Sequence, residues 1–297
     1  MSLRPAWLSF RRYAAATTGM TLVLFSLGVY TAATGSGLAC QAQWPLCSDQ
    51  FIPTLTINPD FIEWFHRVWA MVTGFLIIGV AGWTWLGSFD RRTKLAATLA
   101  VAILPLQITV GAITVTVGGL VPGGYTVSTH AAHLTVALCI FTLLALATIW
   151  GGGRGGPRLL RIATTIAVAG IVASAVFSRA VPFVTYSPGA QAGFYITGLA
   201  GHLGLVATIA YATEAVRGGY PGIDHSTARA VRAFAVGSMV ALVVTLLLGR
   251  DLVLYTRVWQ QINLVALGLA LVCAVGAAWV VRGADGTERR ATPVGGD

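Results

Sequence analysis

Charge is what this sequence has least of. Of its 297 residues only 10% are Asp, Glu, Lys or Arg, where a soluble domain carries about 25%. With 56% hydrophobic residues and a mean hydropathy of +0.77, that scarcity excludes an ordinary soluble chain. Period-2 alternation is also missing, which excludes a transmembrane barrel. The apolar runs instead reach about 20 residues, the length of a spanning helix. Cysteine is sparse at four residues. Cys139 and Cys273 fall inside apolar runs and read as buried thiols. Cys40 and Cys47 fall in a loop, with no second pair or nearby histidine to complete a zinc tetrahedron. The glycine-rich GGGRGGP at 151–157 has no strand before it and no Lys-Ser/Thr after it, so it is no phosphate loop.

What is present is a series of eight apolar spans, near 14–35, 62–87, 93–118, 126–150, 159–181, 193–215, 228–249 and 258–281. The first resembles a signal peptide but is too long for an ordinary apolar core of one, and reads as an uncleaved helix. The fold class expected is an all-α membrane protein, with eight transmembrane helices arranged as two pseudo-repeated four-helix bundles. Residues 1–150 form the first bundle, 151–157 a linker and 158–297 the second. Basic residues fall in five groups of three: Arg4, Arg11 and Arg12; Arg91, Arg92 and Lys94; Arg154, Arg158 and Arg161; Arg217, Arg229 and Arg232; Arg282, Arg289 and Arg290. These fifteen of the 19 lie on one side of the spans; Arg179, Arg250 and Arg257 lie at the other, and Arg67 is in span 2. The positive-inside rule makes the richer side cytoplasmic, with both termini inside. The net charge of +9 is therefore topological, and nucleic acid is not an expected partner. The chain is expected in the cell membrane, with the loop Gly35–Phe61 external. There Cys40 and Cys47 suit a disulfide, read either as a structural staple or as a redox-active dithiol.

Polar residues inside spans cost energy, so each asks for a partner. Span 2 opens with FIEWFHRVWAMVTGF, holding Glu63, His66 and Arg67. Glu63 and His66, three residues apart, share one helical face. Four of the five histidines fall in spans: His66, His130, His133 and His202. The hydropathy reading puts all four at similar depth on the external side. Overlaying the halves places His202 opposite His66, and Asn263 opposite His133. Repeats in membrane proteins commonly carry sites at equivalent points. Two histidines on facing helices at one depth suit bis-imidazole ligation of haem iron. Single membrane histidines also serve as helix–helix hydrogen bonders or proton relays. His130, one turn from His133, competes for its role.

TGSGLACQAQWPLC, followed by EWFHR, LQITVGAITV on span 3 and AAHLTVAL on span 4, resembles the haem A synthase family. The resemblance implies oxidation of the C8 methyl of haem O to a formyl group, with haem O as substrate, haem A as product and a haem b as cofactor. It implies His66 and His133 as the ligand pair around the substrate haem, and His202 as a ligand of the cofactor haem. Glu63 would be a catalytic acid or base beside His66, Arg67 a partner for a haem propionate, and Cys40 and Cys47 the external pair. Haem O synthase and an electron donor are the implied protein partners. The sequence departs from the family pattern in span 8, which offers Asn263, Gln260 or Gln261 and no histidine. Leu203 follows His202 where an arginine would mirror Arg67. The alternatives are a b-type cytochrome electron carrier, or a non-haem assembly factor or transporter with a proton relay.

Overall fold

The computed structural model describes residues 8–41, 43–120, 126–179, 181, 183–185, 187–248 and 256–291, with the side chains of 284–291 left out of the description. Arg4, Arg250 and Asp251 lie outside the described residues, as do the side chains of Arg289 and Arg290. Eight long helices account for the spans among these residues: α1 Phe10–Ala33, α2 Pro59–Leu86, α3 Arg91–Gly118, α4 Val127–Gly151, α5 Pro157–Phe177, α6 Pro188–Gly218, α7 His225–Leu248 and α8 Arg257–Ala291. Each is long and apolar enough to cross a membrane. The chain is an all-α, multi-pass membrane protein.

Local chemistry sets the boundaries. Asn58 caps α2 by accepting from the Phe61 N–H, ahead of Pro59. Ser187 does the same for α6 toward Ala190, ahead of Pro188. Proline in a first turn suits a helix, since its missing N–H would be unpaired there anyway. Asp90 caps α3 through the Thr93 N–H. Partial desolvation would raise the Asp90 carboxyl, but donation from Thr93 and Arg92 outweighs it and holds the group below the usual carboxylate range. Inside the spans, threonine hydroxyls turn back onto their own helix. Thr17, Thr18 and Thr21 donate to the carbonyls of Tyr13, Ala14 and Thr17. No hydroxyl proton is thereby left facing hydrocarbon.

The helices close into two four-membered rings. In the first, α1 packs on α2 and α4, and α3 packs on α2 and α4; in the second, α6 packs on α5 and α7, and α8 packs on α5 and α7. The rings meet where α1 and α4 lie against α6 and α4 touches α7. They differ in where they are solid. The first ring's own core, including Phe10, Ile77, Val80, Ala97 and Leu144, is confined to the end nearer the 151–157 linker. Toward the cysteine loop the buried Phe25 and Val29 of α1 and Leu134 and Leu138 of α4 instead share one core with the second ring. Phe194, Tyr195, Leu199 and Leu246 supply the second ring's part of it, and Tyr195 stacks on Phe25. Near mid-helix α5 and α6 touch backbone to backbone. A Cβ on Gly170 would lie 2.3 Å from the Gly201 nitrogen, and one on Gly204 2.5 Å from the Ala167 nitrogen.

At the linker end the rings are tied by charge. Arg92 of α3 pairs with Asp90 at 2.7 Å and reaches Glu214 of α6 at 3.5 Å. Glu214 also accepts from the Gly155 N–H and the Tyr220 hydroxyl, each at 3.0 Å. A cleft of about 560 Å³ opens beside this cluster. It lies at the opposite end of the bundle from His66 and His133, and holds none of the expected site residues.

Candidate functional site

The loop after α1 sets the roof of the site. Cys40 and Cys47 are joined as a disulfide. Closing so short a ring takes unusual backbone: Gln41, Ser48 and Asp49 all have positive φ, a conformation few non-glycine residues adopt. The Cys40 N–H points down onto α2 and donates to Glu63 Oε2 at 2.7 Å. Glu63 is only 3% exposed. Its other carboxylate oxygen takes a contact from the Arg67 guanidinium, which also donates to the Gln43 carbonyl. Glu63 and Arg67, one turn apart, therefore clamp the disulfide loop to the top of α2. The loop backbone as the partner of both charges is something the residue pattern does not announce.

Below the clamp, His66 of α2 and His133 of α4 lie at similar depth in the first ring. His66 lies seven residues into α2 and His133 six residues into α4, or about 9–10 Å along each axis. Each imidazole sits against a glycine of a neighbouring helix. A Cβ on Gly28 of α1 would stand 3.0 Å from His66 Nε2, and one on Gly111 of α3 would stand 3.0 Å from His133 Cε1. Gln107 of α3 places its amide nitrogen 3.1 Å from His133 Nε2. His133 Nδ1 and Gln107 Oε1 are buried without partners. An unpaired buried polar atom costs about 1–3 kcal/mol, so this pair of orphans marks a place built to meet something else. His130 sets its Nδ1 against the Thr126 carbonyl of its own helix, at 2.9 Å. Trp64 and Trp69 are hydrogen-bonded ties. Trp64 Nε1 donates to the Phe51 carbonyl and Trp69 Nε1 to the Met20 carbonyl of α1.

His202 departs from the expected depth. The hydropathy reading starts span 6 at 193, but Ser187 and Pro188 start the helix earlier, and His202 is fourteen residues in. That is about 21 Å along the axis. Its Nε2 bonds the Thr142 hydroxyl of α4 at 2.8 Å, nine residues beyond His133 on that helix. His202 thus turns toward the first ring, level with the middle of α4 and not with His133. Asn263 does keep the expected register, six residues into α8 as His133 is into α4. It is fully buried, with both carboxamide atoms unpartnered. No hydrogen bond joins it to His202. Among the described residues no cluster of His, Cys, Asp and Glu is arranged to hold a bare metal ion. Imidazoles from separate helices around a planar macrocycle would form no such cluster.

A helical membrane protein with two imidazoles at similar depth, each set against a glycine, under a disulfide loop clamped by an acid and an arginine, is the class defined so far. Comparisons narrow it. Residues 56–192 match a family described as "Cytochrome oxidase assembly protein". The heme A synthase of Bacillus licheniformis is 35% identical over 45% of this chain and 42% of its own length. That of Halalkalibacterium halodurans is 35% identical over 48% of this chain and 46% of its own. A protoheme IX farnesyltransferase of Halobacterium salinarum is 36% identical over 46% of this chain and 28% of its own. The similarity thus spans less than half the length of these relatives. Over this stretch the chain is similar to haem A synthases.

Proposed function

We propose that this chain is a haem A synthase, acting on haem O in the membrane and oxidising its C8 methyl to a formyl group. The observation that carries the reading is the His66–His133 pair: two imidazoles at similar depth in the first ring, each set against a glycine. Glycine cradles and the orphaned Gln107–His133 pair suit a flat, polar-edged ligand, and haem fits these residues. His66 and His133 are the side chains assigned to its iron. Haem itself supplies the redox chemistry when bound; the residues hold, orient and move protons.

Turning a methyl group and a water into a formyl group releases four protons and four electrons. The electrons leave for a redox partner outside these side chains. Glu63, one turn from His66, is the residue assigned to take protons from the oxidised carbon. The Cys40 N–H and Arg67 fix its carboxylate without using all its lone pairs. Arg67 spends part of its guanidinium on Glu63 and Gln43, and its remaining N–H groups suit a propionate of the substrate. The Cys40–Cys47 ring holds Glu63 from above, and a structural role is the reading its contacts favour. We place this loop on the external side of the cell membrane, since the other end of the bundle carries the clustered arginines. Haem O synthase is the proposed supplier of substrate, an assignment that the farnesyltransferase relative supports.

The test is conversion in membranes. Co-expressed with a haem O synthase in a host that makes no haem A, the chain should yield extractable haem A. His66→Ala and His133→Ala should each abolish it. Recovery of haem O alone from the unaltered chain would reject the assignment in favour of a haem carrier.

A further inference from the structure

The family resemblance implies a second haem, ligated in the second ring by His202. The residues there do not fit one. His202 turns out of the second ring, its Nε2 lying 2.8 Å from the Thr142 hydroxyl of α4. The Phe141 ring packs against its imidazole, with centroids 6.0 Å apart. Thr142 is nine residues from His133, about 900° round the helix and so on its opposite face. One face of α4 presents His133 to the first ring while the other receives His202.

Space gives the same answer. A porphyrin slot leaves its lining open, as in the first ring, where His66 and His133 are both partly exposed. On α6, Tyr195, Phe194 and Leu199 are each 1% exposed or less, packed into a core shared with Phe25 of α1 and Leu138 of α4. The Tyr195 hydroxyl donates to the Leu246 carbonyl at 2.6 Å, crossing from α6 to α7. The α5–α6 contact is closed by Gly170, Gly201 and Gly204 to backbone distance, as small residues allow in membranes. Asn263 stands where His133 stands in the repeat, and a carboxamide is a weak ligand for haem iron. Asn263 is fully buried, with both amide atoms unpartnered. The family match ends at residue 192, ten residues before His202.

We infer that the second ring of this chain holds no haem, and that His202 is a hydrogen-bonded tie between the rings, bracing α4 from behind His133. The inference rests on the proposed first-ring haem site. Only one haem binds per chain, and the second half serves as a scaffold for the first.

Titrating the purified full chain in detergent with protohaem IX tests this by stoichiometry. The expected result is saturation at one haem per chain. His202→Gln should still bind one haem with an unchanged absorption spectrum, and His66→Ala should lose it. Thr142→Val removes the tie without touching any histidine, and should lower the unfolding temperature while leaving one haem bound. Two haems per chain, with one lost in His202→Gln and none in Thr142→Val, would overturn the inference and leave the first-ring site standing. No haem bound by the folded, unaltered chain would overturn both.

Discussion

Replacing Glu63 separates its two assignments, clamp and proton acceptor. The carboxylate is 3% exposed, accepts from the Cys40 N–H at 2.7 Å and pairs with Arg67. Glu63→Ala leaves the Cys40 N–H buried and unpaired, about 1–3 kcal/mol. It also strips Arg67 of its counter-charge. Breaking a buried pair from one side costs roughly 3–5 kcal/mol, but Arg67 is 21% exposed and relaxes partly into water, which lowers its share to about 2 kcal/mol. The expected destabilisation is about 3–5 kcal/mol in all. Glu63→Gln keeps an acceptor for Cys40 and a polar neighbour for Arg67. It loses only the charge assistance of those bonds, about 1 kcal/mol. Denaturant unfolding in detergent should therefore rank the variants unaltered, Gln, Ala, with Ala about 2–4 kcal/mol below Gln. Proteolysis should attack residues 43–58 only in Ala. Conversion of haem O should fall in Gln by about 10²–10⁴-fold, the usual range for a lost acid–base group. Equal stability of the Ala and Gln variants would refute the clamp. Full activity in a stable Gln variant would refute the proton transfer.

Gly28→Ala and Gly111→Ala each push a methyl to 3.0 Å from an imidazole; overpacking of about 1–3 kcal/mol should weaken haem binding by about 5–150-fold in a spectral titration, and unchanged affinity would reject the cradle. Gln107→Leu removes the amide beside His133 Nε2, and should shift the absorption of bound haem with little loss of stability; an identical spectrum would place Gln107 outside the site. Replacing Cys40 and Cys47 together by Ser opens an eight-residue ring, about 2.5 kcal/mol by loop-closure entropy. Unfolding should shift by about that amount, with haem A formation reduced and not abolished. Complete loss of activity in a protein that still binds haem would instead make the dithiol a participant.

The helices were legible because eight apolar runs of spanning length leave little choice. His66, His133 and Asn263 were legible because each lies six or seven residues into its helix, and span edges fell within a few residues there. His202 was not, because hydropathy fades through FYITGLAGH and does not register a helix that begins at Ser187 and Pro188. The capping serine ahead of the proline was the signal that could have corrected it. Glu63 and Arg67 were found as charges, but their partners are backbone groups of the loop, Cys40 N–H and Gln43 C=O, which no residue pattern encodes. Gly28 looked like any small residue in an apolar helix; only the path of α1 past His66 gives it a role. In a membrane span, glycines such as those at 198, 201 and 204 suit either close packing or ligand room. The structure makes them packing contacts and leaves Gly111 facing an imidazole.

The electron paramagnetic resonance spectrum of the purified, haem-loaded chain tests the central claim most directly. Ligation by His66 and His133 predicts a low-spin, bis-imidazole ferric signal that becomes high-spin in either single alanine variant and persists in His202→Gln. A low-spin signal surviving both His66→Ala and His133→Ala would contradict the account.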